Sequence, residues 1–131
     1  MSQTLRVSGM AYLIDSALGS QEILLQRPMV EIERTTTIKA AISQAITTTE
    51  AALNIGNLTS EGWAFLQNDE SDTASTTYIS IGFTVSATFY EAIRLGPKEY
   101  CLVPLSPTPT WQAKTNASTG TLNGYVLQRN P

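Results

Sequence analysis

The chain of 131 residues is predicted to be all-β: a β-sandwich or jelly-roll-like single domain of about eight strands with an N-terminal arm. Three observations predict it. Residues 56–107 hold four short segments in which apolar and polar residues alternate between turn signals. The chain is rich in β-branched residues, which pack well on a pleated surface and lose side-chain freedom in a helix. Beyond residue 107 the same short spacing continues, as in sandwiches and barrels. The expected division is an extension or arm over residues 1–34 and a β-sandwich domain over 35–131.

Taken in order, residues 1–34 are apolar without a sustained period, with an added strand expected around 30–34. Between residues 38 and 48, Ile38, Ala40, Ile42 and Ile46 alternate with Lys39, Ser43 and Thr47. Ile38, Ala41, Ile42, Ala45 and Ile46 also sit at helical spacing, so two periods compete; the threonine triplets at 35–37 and 47–49 select the strand. Residues 62–67 place Trp63 and Phe65 on one face and Ala64 and Leu66 on the other, the pattern of a central strand covered on both sides, with Trp63 expected in the core. A polar connection at 68–75 leads to Ile79, Ile81 and Phe83, alternating with Ser80 and Gly82, and a hairpin with the preceding strand is the natural expectation.

Next, Phe89, Ile93 and Leu95 share a parity with Glu91, opposite Tyr90, Ala92 and Arg94. Residues 96–99 then supply a turn into 100–105, which reads as a second hairpin. Pro104, Pro107 and Pro109 exclude a central position for residues 104–109, because proline donates no ladder hydrogen bond. Segments 111–114 and 121–128 complete the set as two closing strands.

Composition narrows the chemistry. A chain of this length can bury roughly two-thirds of its unfolded surface without staples. Its single cysteine, Cys101, cannot form an internal disulfide and is expected to be a small buried apolar residue. Histidine is absent, which removes the commonest general acid–base group, the centre of Ser-His-Asp and Cys-His sites, and the commonest metal-binding imidazole. A net charge of −3 with scattered Lys and Arg argues against nucleic acid as a partner. Neither a signal-peptide core nor an apolar run of membrane-spanning length is expected in this sequence. The sequons at Asn57 and Asn116 read as turn chemistry.

Candidate sites are few. Asp69, Glu70 and Asp72 cluster as oxygen ligands would, yet lack the spacing and glycine of an EF-hand loop and read as a solvated loop. Glu61, Glu91 and Glu99 are the carboxylates available for a glycosidase pair, and their positions do not bring them together. The expectation is therefore a non-enzyme with no catalytic, metal or cofactor residues and no cofactor. Interface candidates are Met10, Tyr12, Leu13, Ile14, Leu24, Leu25 and Pro28, whose apolar character is costly to leave in water, and Trp111, which follows a proline-rich loop. Completion of the domain's own core is the competing destination for the N-terminal residues. Trp111 or Tyr90 is also the expected platform if the domain binds carbohydrate.

The segments Ala51 to Leu58, Gly62 to Asn68, Tyr78 to Gly82, Phe89-Tyr90, Ile93 to Leu95, Glu99-Tyr100 and Ala113 to Asn116, with the terminal strand, resemble small structural proteins of tailed bacteriophages. The resemblance implies a β-sandwich or jelly-roll subunit that decorates or cements the capsid, or sits at the neck or tail, as a homo-oligomer without catalysis. Its implied partners are copies of itself and the major capsid or other virion proteins, with no nucleic acid and no membrane. Its implied location is the virion, assembled in the bacterial cytoplasm. The loop 69–77 and the N-terminal extension depart from that pattern.

Overall fold

The computed structural model describes residues 3–15, 20–34, 39–56, 58–72 and 74–128, with side chains from residue 41 onward. Ten strands are formed: β1 (Gln3–Asp15), β2 (Ser20–Arg34), β3 (Lys39–Ile46), β4 (Ala51–Ala52), β5 (Gly62–Asn68), β6 (Ile79–Val85), β7 (Thr88–Leu95), β8 (Tyr100–Leu105), β9 (Gln112–Thr115) and β10 (Gly120–Gln128). Among the described residues there is no helix. Contacts divide the chain into two units, Met1–Thr37 and Ile38–Pro131.

The first unit is one long antiparallel hairpin of β1 and β2. Its register sets Leu5 opposite Ile32, Val7 opposite Val30 and Ala11 opposite Leu25, and shifts twice, between Val7 and Gly9 and between Ala11 and Tyr12. Each shift admits an extra residue on β2 and reverses its alternation from there on. That is why this stretch shows no period in the sequence although it is strand almost throughout. Pro28, which has no N–H to donate, lies at the first of these irregularities.

The second unit is a β-sandwich of two antiparallel four-stranded sheets, β3-β10-β5-β8 and β4-β9-β6-β7. Its strands pair outermost with outermost and then inward: β3 with β10, β4 with β9, β5 with β8 and β6 with β7. The first and third pairs lie in one sheet and the second and fourth in the other. This is a long antiparallel ribbon rolled on itself, the jelly-roll arrangement.

That topology corrects two expectations. The strands at 62–68 and 79–85 lie in different sheets, so they do not form a hairpin. The same holds for β7 and β8. The local hairpin is β6–β7, closed by Ser86 and Ala87 at φ 49° and 66°, a two-residue turn made without the usual Asn-Gly. Strand, not helix, is the outcome for 39–46, and Pro104 lies on the edge strand β8.

The core between the sheets is aliphatic. Ile42, Ile46, Leu66, Leu105, Leu122 and Val126 of one sheet meet Ile79, Ile81, Leu95 and Ala113 of the other, with Leu53 and Leu58 closing the ends. None of the described aromatic side chains is fully buried. Two glycines let neighbouring strands approach: a Cβ at Gly124 would stand 1.8 Å from the Phe65 carbonyl oxygen, and one at Gly82 would stand 1.9 Å from that of Tyr90. Asn68, 1% exposed, closes one end by donating from Nδ2 to the Leu95 carbonyl at 3.0 Å and accepting from the Glu70 N–H at 3.1 Å.

Candidate interaction surface

The inward positions of β5 carry Gly62, Ala64, Leu66 and Asn68, all buried, and the outward ones carry Trp63, Phe65 and Gln67. The larger aromatic residues of this strand therefore face away from the core. The reason lies in the register: Ala64 and Leu66 already meet the filled aliphatic layer, which leaves no volume for a ring. The expected core placement of Trp63 is corrected accordingly; it is half-buried on the outer face, between its strand neighbours Leu127 and Pro104.

Register extends this pattern across the sheet. One row runs Ala41, Tyr125, Phe65, Leu102 over β3, β10, β5 and β8; the next runs Ser43, Asn123, Gln67, Tyr100. Tyr100 is 66% exposed, Tyr125 58% and Phe65 39%. The Phe65 and Tyr100 rings lie 5.6 Å apart on adjacent strands, tilted by 38°. Gln67 donates from Nε2 to the Lys98 carbonyl at 3.3 Å. Among the described side chains these two rows hold no carboxyl, amine or guanidinium, so this part of the face is aromatic and amide-bearing; the next row, through Leu127 and Trp63, has Lys39 at its β3 position.

The outer face of the other sheet is built differently. A bulge between Ile81 and Gly82 sets Glu91 opposite Gly82 and Arg94 opposite Ser80, so both side chains emerge on one face despite their opposite parity in sequence. The Arg94 guanidinium donates to both Glu91 oxygens at 3.0 and 3.2 Å and lies 4.2 Å from the centre of the Tyr78 ring. The Ser80 hydroxyl also donates to Glu91. The bond to Arg94 holds the Glu91 carboxyl below its ordinary range, with Ser80 and the charges of Arg94 and Lys114 adding to it against a partial desolvation. Lys114 lies 4.6 Å above the Phe89 ring and 3.9 Å from Glu50.

Other sequence candidates have local duties. Trp111 is half-buried, packs against the core, meets Phe83 edge-on at 6.0 Å and donates from Nε1 to the Ser106 carbonyl at 3.1 Å. Tyr90 is 52% exposed and stacks on Phe83 at 6.3 Å. Glu70 and Asp72 accept backbone N–H bonds from Asp72 and Ala74, at 2.9 and 3.0 Å. Asn116 bonds the Tyr78 N–H and the Thr76 carbonyl. Glu61 and Glu99 flank opposite ends of β5, about 20 Å apart at strand rise, and Glu91 stands on the other sheet. A glycosidase pair needs its carboxyl groups within roughly 10 Å. Glu99 instead accepts the Gly96 N–H at 2.6 Å.

Cys101 is half-buried, and burial pushes its thiol up, which makes it a poor nucleophile at neutral pH. Among the described residues no group of three or more Cys, Asp or Glu gathers as metal ligands would. A shallow depression of about 570 Å³ lies at the β7–β8 turn, lined by Leu95, Pro97, Lys98 and Cys101, with Tyr100 at its border with the aromatic face. Met10, Tyr12, Leu13 and Ile14 lie in β1, and Leu24, Leu25 and Pro28 in β2; their side chains fall outside those described.

The aromatic face was missed in sequence because its members come from β5, β8 and β10, up to 62 residues apart between Trp63 and Tyr125. The available signal was the shared parity of Trp63 and Phe65 in 62–67, which groups the rings on one side of the strand without telling which side faces water. No family model, no curated protein and no solved structure matches this chain.

Proposed function

We propose that this protein is a non-enzymatic structural subunit of a tailed-phage virion, a capsid decoration or cement protein that assembles with copies of itself and with neighbouring shell proteins. The observation that carries the reading is the division of the chain into a sandwich with its own core and a separate hairpin of 13- and 15-residue strands. A two-stranded hairpin buries too little to be stable alone in water and needs a further surface. In this proposal a neighbouring subunit supplies that surface, and the jelly roll is the rigid body held in place. Loop carboxylates turned to local hydrogen bonding, and Glu61 and Glu99 held near opposite ends of β5, are in keeping with a role without catalysis.

Particle reconstruction with the labelled protein tests the location: density on the shell supports a decoration role, density at the neck or tail replaces it with an accessory role there, and absence from particles ends the virion reading. Val7→Asp and Ile32→Asp in the full chain test the hairpin. Loss of oligomers in light scattering, with the sandwich still folding cooperatively, is the expected result; unchanged assembly removes the hairpin from the interface.

A further inference from the structure

We propose that the outer face of the β3-β10-β5-β8 sheet binds a neutral oligosaccharide, with Tyr100, Phe65 and Tyr125 as stacking platforms and Asn123 and Gln67 as its polar partners. This does not rest on the virion reading. The two central strands and one edge strand that carry these groups are held by a close-packed core, so the platforms are pre-set rather than formed on binding.

Chemistry selects the ligand. One side of a sugar ring presents C–H groups, which the electron-rich face of an aromatic ring attracts, and its rim presents hydroxyls that need donors and acceptors. Here the aromatic row Tyr125–Phe65–Leu102 runs directly beside the polar row Asn123–Gln67–Tyr100. Among the described residues no hydrogen bond engages the Asn123 amide, and Gln67 keeps its carbonyl oxygen after donating to Lys98. Neither of these two rows offers a cation to a carboxylated or sulfated sugar; Lys39 stands only in the outer row through Trp63, on the edge strand β3. The opposite outer face could not serve in this way, because Glu91, Arg94 and Ser80 are already bonded to one another.

Area separates this ligand from a second copy of the chain. Four strands at about 4.8 Å spacing and the four residue steps from Trp63 to Gln67 give, with side chains, a footprint of roughly 400 Å². A stable protein interface needs about 800 Å² per partner. The face is half of that, which suits a short saccharide lying across the strands.

The test applies the full-length protein to an array of neutral and acidic glycans, then titrates the strongest neutral binder while following tryptophan fluorescence. Trp63 lies on this face and Trp111 does not, so Trp63→Phe assigns the signal. The expected result is binding to neutral glycans, weakened about tenfold by Tyr125→Ser or Tyr100→Ser, the loss of about one stacked ring, and unchanged by Tyr90→Ser on the other sheet. Both tyrosines are more than half exposed, so their removal leaves the fold intact; a thermal melt of each variant checks this. Binding to no neutral glycan, or equal binding by Tyr125→Ser, overturns the proposal. So does self-association that Tyr125→Ser abolishes, which assigns the face to a second copy. None of these results bears on where the protein sits in a virion.

Discussion

The two outer faces of the sandwich have the same architecture and opposite chemistry. On the β4-β9-β6-β7 sheet the polar and charged groups satisfy one another: Glu91 takes Arg94 and Ser80, Arg94 covers Tyr78, and Lys114 covers Phe89. On the β3-β10-β5-β8 sheet, Tyr100, Tyr125 and Phe65 are exposed to water, and Tyr100 lies against Phe65. A face whose groups are mutually satisfied gains little from a partner. A face that leaves aromatic surface exposed gains the burial of that surface. The difference teaches where to look for contacts, since the fold alone treats both sheets alike.

The sharpest way to break the comparison is along β5 itself, where neighbouring residues serve opposite sides. Leu66→Ala empties a fully buried site and is expected to cost about 4 kcal/mol in urea unfolding. Phe65→Ser, one residue away, is expected to cost less than about 1 kcal/mol while reducing ligand binding. Comparable losses from both would mean that the outer face is structural.

Gly124→Ala comes next, at about 3 kcal/mol, because the added methyl meets the Phe65 carbonyl and must push β10 from β5. It should also disturb the spacing of Tyr125 from Phe65, so binding falls more than stability requires. Gly82→Ala makes the matching clash on the other sheet and is expected to destabilise to a similar degree without touching the aromatic face. Chemical-shift maps of the two variants distinguish these outcomes.

A smaller effect concerns turns. Ala87 and Lys98 hold φ values of 66°, a conformation that costs non-glycine residues about 1 kcal/mol. Ala87→Gly and Lys98→Gly are each expected to raise the unfolding free energy in urea by about that much. Lys98→Gly acts beside Gln67 and Tyr100, so it also asks whether a freer turn loosens the aromatic face.

The smallest effect is electrostatic. Because the folded protein holds Glu91 below its ordinary value of 4.5, the pair stabilises fully above that pH, and the contribution disappears as the pH falls through the depressed value. The difference in urea midpoint between the wild type and Glu91→Gln should therefore shrink on acidification and in high salt. A difference independent of both would show that Glu91 acts by packing rather than charge.

Much of the strand content was legible because a pleated chain alternates its side chains, and β3 and β5 to β10 all show that signature within eight or nine residues. The N-terminal hairpin was not legible as a unit, since two register shifts on β2 break the alternation that identifies strands. Glu91 and Arg94 looked opposed for the same reason: the bulge that brings them together is invisible in the spacing. The aromatic face was only half visible. Trp63 and Phe65 announced a shared side of one strand, but nothing in 62–67 tells which side is wet, or that Tyr125 and Tyr100 stand on either flank.

By itself, then, the sequence determined most strand positions of the sandwich, the all-β class, the exclusion of Pro104 from a central strand and the lack of a histidine-based site. These are local consequences of backbone geometry and residue chemistry. Only the tertiary structure decided which strands pair, because a jelly roll joins β3 to β10 and β4 to β9 across most of the chain while sending successive strands, β6 and β7 excepted, to different sheets. That choice follows from filling one aliphatic layer between two sheets, a condition on the whole sandwich that no single segment carries. It also turned the small side of β5 inward and left its rings, with Tyr100 and Tyr125, facing water.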